Sequence, residues 1–162
     1  MEKPLDYGSV PTVLDTQVVM DWLVFRDRSC LSLSLAVMQS RLNWCTTAKM
    51  YNELVHVLGR GVAIAWRPNL AMIAQSFERH AHVLKMEPPS ARHLLRCRDS
   101  DDQMFLDLAI AVKARWLFSR DRAVLALAGR AREHGIEIIS PLTWNKQEMA
   151  THFAAAEPLD AK

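Results

Sequence analysis

The chain carries none of the glycine-dependent signatures of nucleotide or ester chemistry: no P-loop, no GxGxxG and no GxSxG occurs in its 162 residues. Nucleotide hydrolysis of those types and α/β-hydrolase chemistry therefore have no support. Cysteine is scarce. Cys30, Cys45 and Cys97 are an odd number without CxxC spacing, which excludes a disulfide framework and a zinc knuckle and fits a reducing cytoplasm. No stretch approaches ~18 consecutive apolar residues, and residues 1–6 are not followed by a long apolar core. Neither a transmembrane helix nor a signal peptide is expected, and no membrane partner. His80-Ala-His82 lacks an accompanying Glu-x-x-His pattern, so these histidines read as surface residues rather than metal ligands. There is no internal repeat or low-complexity segment. Charge of one sign is also lacking: 20 Lys+Arg against 18 Asp+Glu give +2, which permits a polyanionic partner without requiring one.

What is present suffices for one compact domain over residues 1–153 with a short tail over 154–162, half of the chain being apolar. The apolar run 10–15 reads as a short strand closed by Asp15. Val18, Val19, Trp22, Leu23 and Phe25 then recur at helical spacing over 16–26. A helix over 31–39 precedes a short strand and turn at 43–47, where Thr46 or Thr47 can cap a helix over 48–58. Residues 70–83 read as one further helix. Pro88-Pro89 makes 87–98 an extended connection carrying Arg92, His93, Arg96 and Arg98. Ser100 and Gln103 fit a capping box before a helix over 104–113. A strand over 115–119, a helix over 122–133 ended by Gly135, a strand over 136–139 and a closing helix from Pro141 complete the pattern. Strands separated by helices point to an α/β, doubly wound parallel sheet of about four or five strands flanked by helices. The five tryptophans read as core.

Four acids, Asp15, Glu53, Asp102 and Asp121, fall where these elements set a carboxylate at one end of the sheet. Each has a local explanation. Asp15 and Asp121 stand where helix caps stand, Glu53 borders the apolar stripe of Tyr51, Leu54, Val55 and Leu58, and Asp102 lies in a helix first turn beside Asp101. Helical phase puts Asp102 with Phe105, Ala109 and Val112 on the inward face, leaving Asp99 and Asp101 to solvent. Asp107 reads as a surface acid or a support to the site. Ligands of open α/β sheets bind outside the carboxyl ends of the strands. Four carboxylates converging there would repel one another and raise each other's pKa. A hard divalent cation relieves that repulsion, and oxygen ligands without histidine select Mg²⁺ or Mn²⁺. The series Arg67, Arg79, Lys85, Arg92, Arg96 and Arg98 then offers a phosphate groove.

In this order and spacing, Val13-Leu-Asp15-Thr16-Gln17, Tyr51-Asn-Glu53-Leu, Asp99-Ser-Asp101-Asp102-Gln and Leu117-Phe-Ser119-Arg-Asp121 resemble the PIN-domain family, specifically the VapC-like ribonuclease toxins of bacterial toxin–antitoxin pairs. The resemblance covers nearly the whole chain. It implies a PIN-like sheet and a Mg²⁺-dependent endoribonuclease in which metal-activated water cuts RNA, leaving a 5′-phosphate and a 3′-hydroxyl. Asp15, Glu53, Asp102 and Asp121 match the family's four acids and would be both catalytic residues and metal ligands. Thr16 follows the first acid, Ser119 matches the hydroxyl residue before the last, and Asp101 rivals Asp102 as third ligand. Gln17 departs from the family's usual Asn. The resemblance further implies a homodimer silenced by a cognate antitoxin, with Trp22, Leu23 and Phe25 as a candidate contact surface. A non-cleaving RNA-binding or scaffold protein on the same fold, and a DNA-directed nuclease, are the competing readings.

Overall fold

The computed structural model describes residues 9–155. At its centre is an all-parallel sheet of five strands in the order β3-β2-β1-β4-β5. The strands are β1 Val10–Leu14, β2 Leu42–Thr47, β3 Ala81–Leu84, β4 Trp116–Phe118 and β5 Glu137–Ile139. The helices are α1 Thr16–Leu23, α2 Leu31–Met38, α3 Ala48–Gly59, α4 Leu70–His80, α5 Gln103–Ala111, α6 Arg122–Leu125, α7 Ala128–Arg132 and α8 Pro141–Ala155.

Successive side chains of a strand point to opposite faces, and the two core layers follow from that alternation. Leu14, Trp44 and Phe118 enter one layer with Val18, Leu33, Leu54, Phe77 and Trp144 from α1, α2, α3, α4 and α8. Val13, Leu117 and Ile138 enter the other with Phe105, Leu108, Val124 and Ala131 from α5, α6 and α7. Helices thus cover both faces of the sheet, as a doubly wound pattern requires. Each large side chain removed from water here contributes roughly 1.5–3 kcal/mol.

The chain runs from β1 outward to β2 and β3, then returns to β4 on the other side of β1 and continues to β5. Strand order therefore reverses between β1 and β4, and the carboxyl edge at that reversal is where α/β sheets hold ligands. The backbone ties this edge tightly: the Asp15 amide donates to the Phe118 carbonyl at 3.1 Å, and the Ser119 amide to the Ile139 carbonyl at 3.1 Å.

Several expected boundaries are corrected. Residues 70–83 are not one helix: α4 ends at His80, and Ala81–Leu84 pairs with β2 in the register Trp44↔Ala81 to Thr47↔Leu84. Only pairing to a distant segment makes this short run a strand, and His80 and His82 consequently straddle a helix–strand junction. The first helix stops at Leu23, before Arg26 in the left-handed region at φ 52°. Residues 122–133 form the two short helices α6 and α7, and Gly135 closes the turn to β5 at φ 75°. Ser100 is not a cap. Asp99 caps a 3₁₀ turn over Ser100–Asp102 instead, and the Gln103 side chain turns inward to bond Cys97 and Leu95. Trp66 is exposed, whereas Trp44 and Trp144 are core. Leu23 is buried, and Trp22 and Phe25 are half-buried and pack on the core.

Thr47, rather than Thr46, caps α3. All three cysteines are free and buried. α8 extends to Ala155, into the stretch expected as a tail; the rest of that tail and residues 1–8 lie outside the described residues. Among the described residues no helix is long and apolar enough to cross a membrane.

Candidate active site

Asp15 stands one residue past β1 with only 4% of its surface exposed. Its backbone is extended (φ −72°, ψ 166°), so its side chain reaches forward and Oδ1 accepts from the Val18 amide at 2.8 Å, capping α1. Its other oxygen, Oδ2, accepts the hydroxyl of Ser119. Burial raises the Asp15 pKa to about 6. The Ser119 and Val18 hydrogen bonds hold it down in part, and the charges of Asp21 and Asp121 push it up further.

Ser119 is fully buried just beyond β4, where its Oγ also accepts the Asp121 amide at 3.0 Å. One hydroxyl therefore fixes both the Asp15 carboxylate and the turn that presents Asp121. Asp121 is exposed and caps α6, its Oδ1 accepting from the Ala123 amide at 2.8 Å. Asp102, half-buried at the end of the 3₁₀ turn, has a pKa raised to about 6, first by burial and then by Asp121, Asp99, Asp15 and Asp101. Asp15, Asp102 and Asp121 thus share one electrostatic field, delivered by β1, by β4 and by the turn before α5.

Glu53 is placed differently. It is half-buried on α3 and lines a neighbouring recess with Lys49, Ser90, Arg92, Asp101 and Asp107. Asp101 is exposed, its amide bonded to the Asp99 carboxylate at 3.0 Å. Thr16 is half-buried beside Leu14, Thr46, Met50 and Phe105. Asp107 is a structural acceptor: Oδ1 accepts from the Ala91 backbone amide at 2.8 Å and from the side-chain Nε2 of Gln103 at 2.9 Å.

Two residues near the site escaped the sequence reading. Asp21 is 2% exposed on α1, and Arg120 brings Nε to 2.7 Å from its Oδ2 and Nη2 to 3.0 Å from its Oδ1. Gln17 donates to the same Oδ1 at 3.0 Å. Burial raises the Asp21 pKa, and Gln17 and Arg120 oppose it. The pair clamps α1 to the loop that carries Asp121. Its signal was legible: Asp21 lies three residues past Val18 on the buried stripe and four past Gln17, one helical turn away.

Among the described residues no three His, Cys, Asp or Glu side chains stand together at the spacing of a metal site. The donor chemistry nevertheless fits a hard cation. Asp15, Asp102 and Asp121 are oxygen donors whose ionised forms disfavour one another, and Mg²⁺ keeps several of its waters while binding through one or two carboxylates, so wider spacing suits it.

A family model described as PIN domain matches residues 11–123, a span that includes all of these acids. No curated protein and no solved structure gives a match.

Proposed function

Since this chain belongs to the PIN domain family, whose members are generally nucleases, we propose that it is a Mg²⁺- or Mn²⁺-dependent endoribonuclease and the toxin of a toxin–antitoxin pair. The observation that carries the nuclease reading is the shared field of Asp15, Asp102 and Asp121 at the edge where strand order reverses. Asp15, Asp102 and Asp121 would hold a divalent cation, which would supply charge to acidify an attacking water and to offset the negative charge gathering on the phosphate.

The residues' own parts follow from their placement. Asp15 is the principal ligand, because a buried carboxylate whose ionised form is disfavoured gains most from a cation beside it. Ser119 holds that carboxylate in one orientation and fixes the turn bearing Asp121, the second ligand. Asp102 completes the set directly or through water. Glu53, on the wall of the adjoining recess, acts through water or on the substrate side of the site. No side chain is needed as nucleophile.

RNA as substrate, the antitoxin and a homodimer rest on the motif resemblance at Asp15, Glu53, Asp102 and Asp121. The test of the activity is incubation of end-labelled RNA and DNA of one sequence with purified protein in Mg²⁺, Mn²⁺ or EDTA. The expected result is internal cleavage of RNA in either metal and none in EDTA. Cleavage of DNA alone would assign the DNA-directed reading, and RNA binding without cleavage the scaffold reading. Light scattering and co-expression with the product of an adjacent small gene test the dimer and the antitoxin.

A further inference from the structure

The connection between β3 and α5 is extended, yet it is firmly held. The Ala91 amide donates to Asp107 at 2.8 Å, the Cys97 amide to Gln103 Oε1 at 2.8 Å, and Gln103 Nε2 to the Leu95 carbonyl at 2.9 Å. Ala91, Leu95 and Cys97 are buried by these anchors, while Arg92, Arg96 and Arg98 between and beside them are exposed. The three arginines meet Arg122, the residue after Asp121, around a recess of about 710 Å³ that Cys97, Ser100, Ala123, Ala126 and Leu127 also line. No carboxylate lines it.

The charges lining this recess are all of one sign. Among the described residues Arg41, Arg115, Arg120 and Arg132 each lie within 4 Å of a carboxylate, but no such pair involves Arg92, Arg96, Arg98 or Arg122. Four like charges gathered in a concave wall repel one another, and guanidinium groups match phosphate oxygens in geometry as well as charge. The recess also adjoins the acids: the charges of Asp102, Asp99 and Asp121 all act on the Cys97 thiol in its wall, and Arg92 and Ser100 line both it and the recess that holds Glu53.

We propose that Arg92, Arg96, Arg98 and Arg122 form a phosphate subsite, which grips the backbone of a single-stranded nucleic acid flanking the bond presented to Asp15, Asp102 and Asp121. The assignment rests on the nuclease reading for what enters the recess. No aromatic side chain lines it, so bases are not stacked there; the arginines meet phosphates, which position a strand without reading its sequence. Binding at this subsite is accordingly sequence-tolerant, equal for RNA and DNA, and steeply weakened by salt.

The test is fluorescence anisotropy of short labelled oligouridine and oligothymidine with the full chain in EDTA, so that no cleavage intervenes. All four arginines are exposed, and the variant Arg96→Ala with Arg122→Ala leaves the buried anchors in place. It should weaken binding of both probes by roughly tenfold or more. The slope of log affinity against log salt should become shallower by about 1.4, or about 0.7 for each phosphate that is no longer neutralised. Arg60→Ala, an exposed charge removed at the far end of α3, should change neither. Unchanged binding in the double variant, or an equal loss in Arg60→Ala, would overturn the subsite. Arginine-dependent binding by a protein that cleaves nothing in Mg²⁺ would keep the subsite and remove the nuclease reading; cleavage with arginine-independent binding would do the reverse.

Discussion

Ser119, one residue past β4, donates its hydroxyl to the carboxylate of Asp15, one residue past β1. The bond closes the two central strands at the edge where the sheet changes direction. It also stabilises the ionised form of Asp15, opposing the burial that raises its pKa to about 6. Ser119→Ala removes that support. Its Asp15 pKa should rise further, moving the acid limb of the pH–rate profile to higher pH, and the fold should lose about 1.5–3 kcal/mol at neutral pH, as for a hydrogen bond to a charged group. An unmoved acid limb would detach Asp15 from the rate.

The same raised pKa sets the pH dependence of stability without metal. Asp15 titrates near 6 in the fold against an ordinary value of 3.8, so the folded state favours the protonated form. The stabilisation is complete below the ordinary value and is lost as pH rises through the folded one, a loss on the order of 3 kcal/mol for this buried group. Asp102 acts in the same direction. Thermal melts in EDTA should therefore show Tm falling from about pH 4.5 to about pH 7. Mg²⁺ should raise Tm at the upper end of that window more than at the lower, because protons and cation compete for the same oxygens. A Tm that rises with pH across the window would show that burial does not govern these carboxylates.

Asp101 and Asp102 are adjacent but unequal. Asp102 is half-buried and coupled to Asp15 and Asp121, while Asp101 faces solvent beside Asp99. Asp102→Asn should lower kcat/KM by roughly tenfold to a hundredfold, and Asp101→Asn by less than about twofold. Equal losses, or the reverse order, would transfer the third position to Asp101.

The sequence revealed what is local. β1 and β4 each carry their apolar run and their terminal acid within a few residues, and an acid after a strand is visible wherever the strand is. The inward phase of Asp102 was legible from Phe105 and Ala109 although Asp102 itself sits in a 3₁₀ turn rather than in α5. β3 was hidden because Ala81–Leu84 follows α4 with no turn residue and becomes a strand only by pairing with Trp44–Thr47. The place of Glu53 on α3 could be read, while the recess it lines is set by packing between distant segments. Arg122 was invisible as a partner of Arg96 for that reason, their recess being formed by elements more than twenty residues apart.

The central claim is the proposal that Asp15 and Asp121 would hold the divalent cation on which hydrolysis of the phosphodiester bond depends. The most direct measurement is RNA cleavage in Mg²⁺ by Asp15→Asn and Asp121→Asn, with circular dichroism confirming that each variant is folded. Both substitutions keep side-chain shape while removing the negative charge. The expected result is a folded protein without detectable cleavage in either case, with Asp15→Asn at least as stable as the parent in EDTA at neutral pH, since a costly buried charge is gone. Cleavage at the parent rate by either variant would contradict the account.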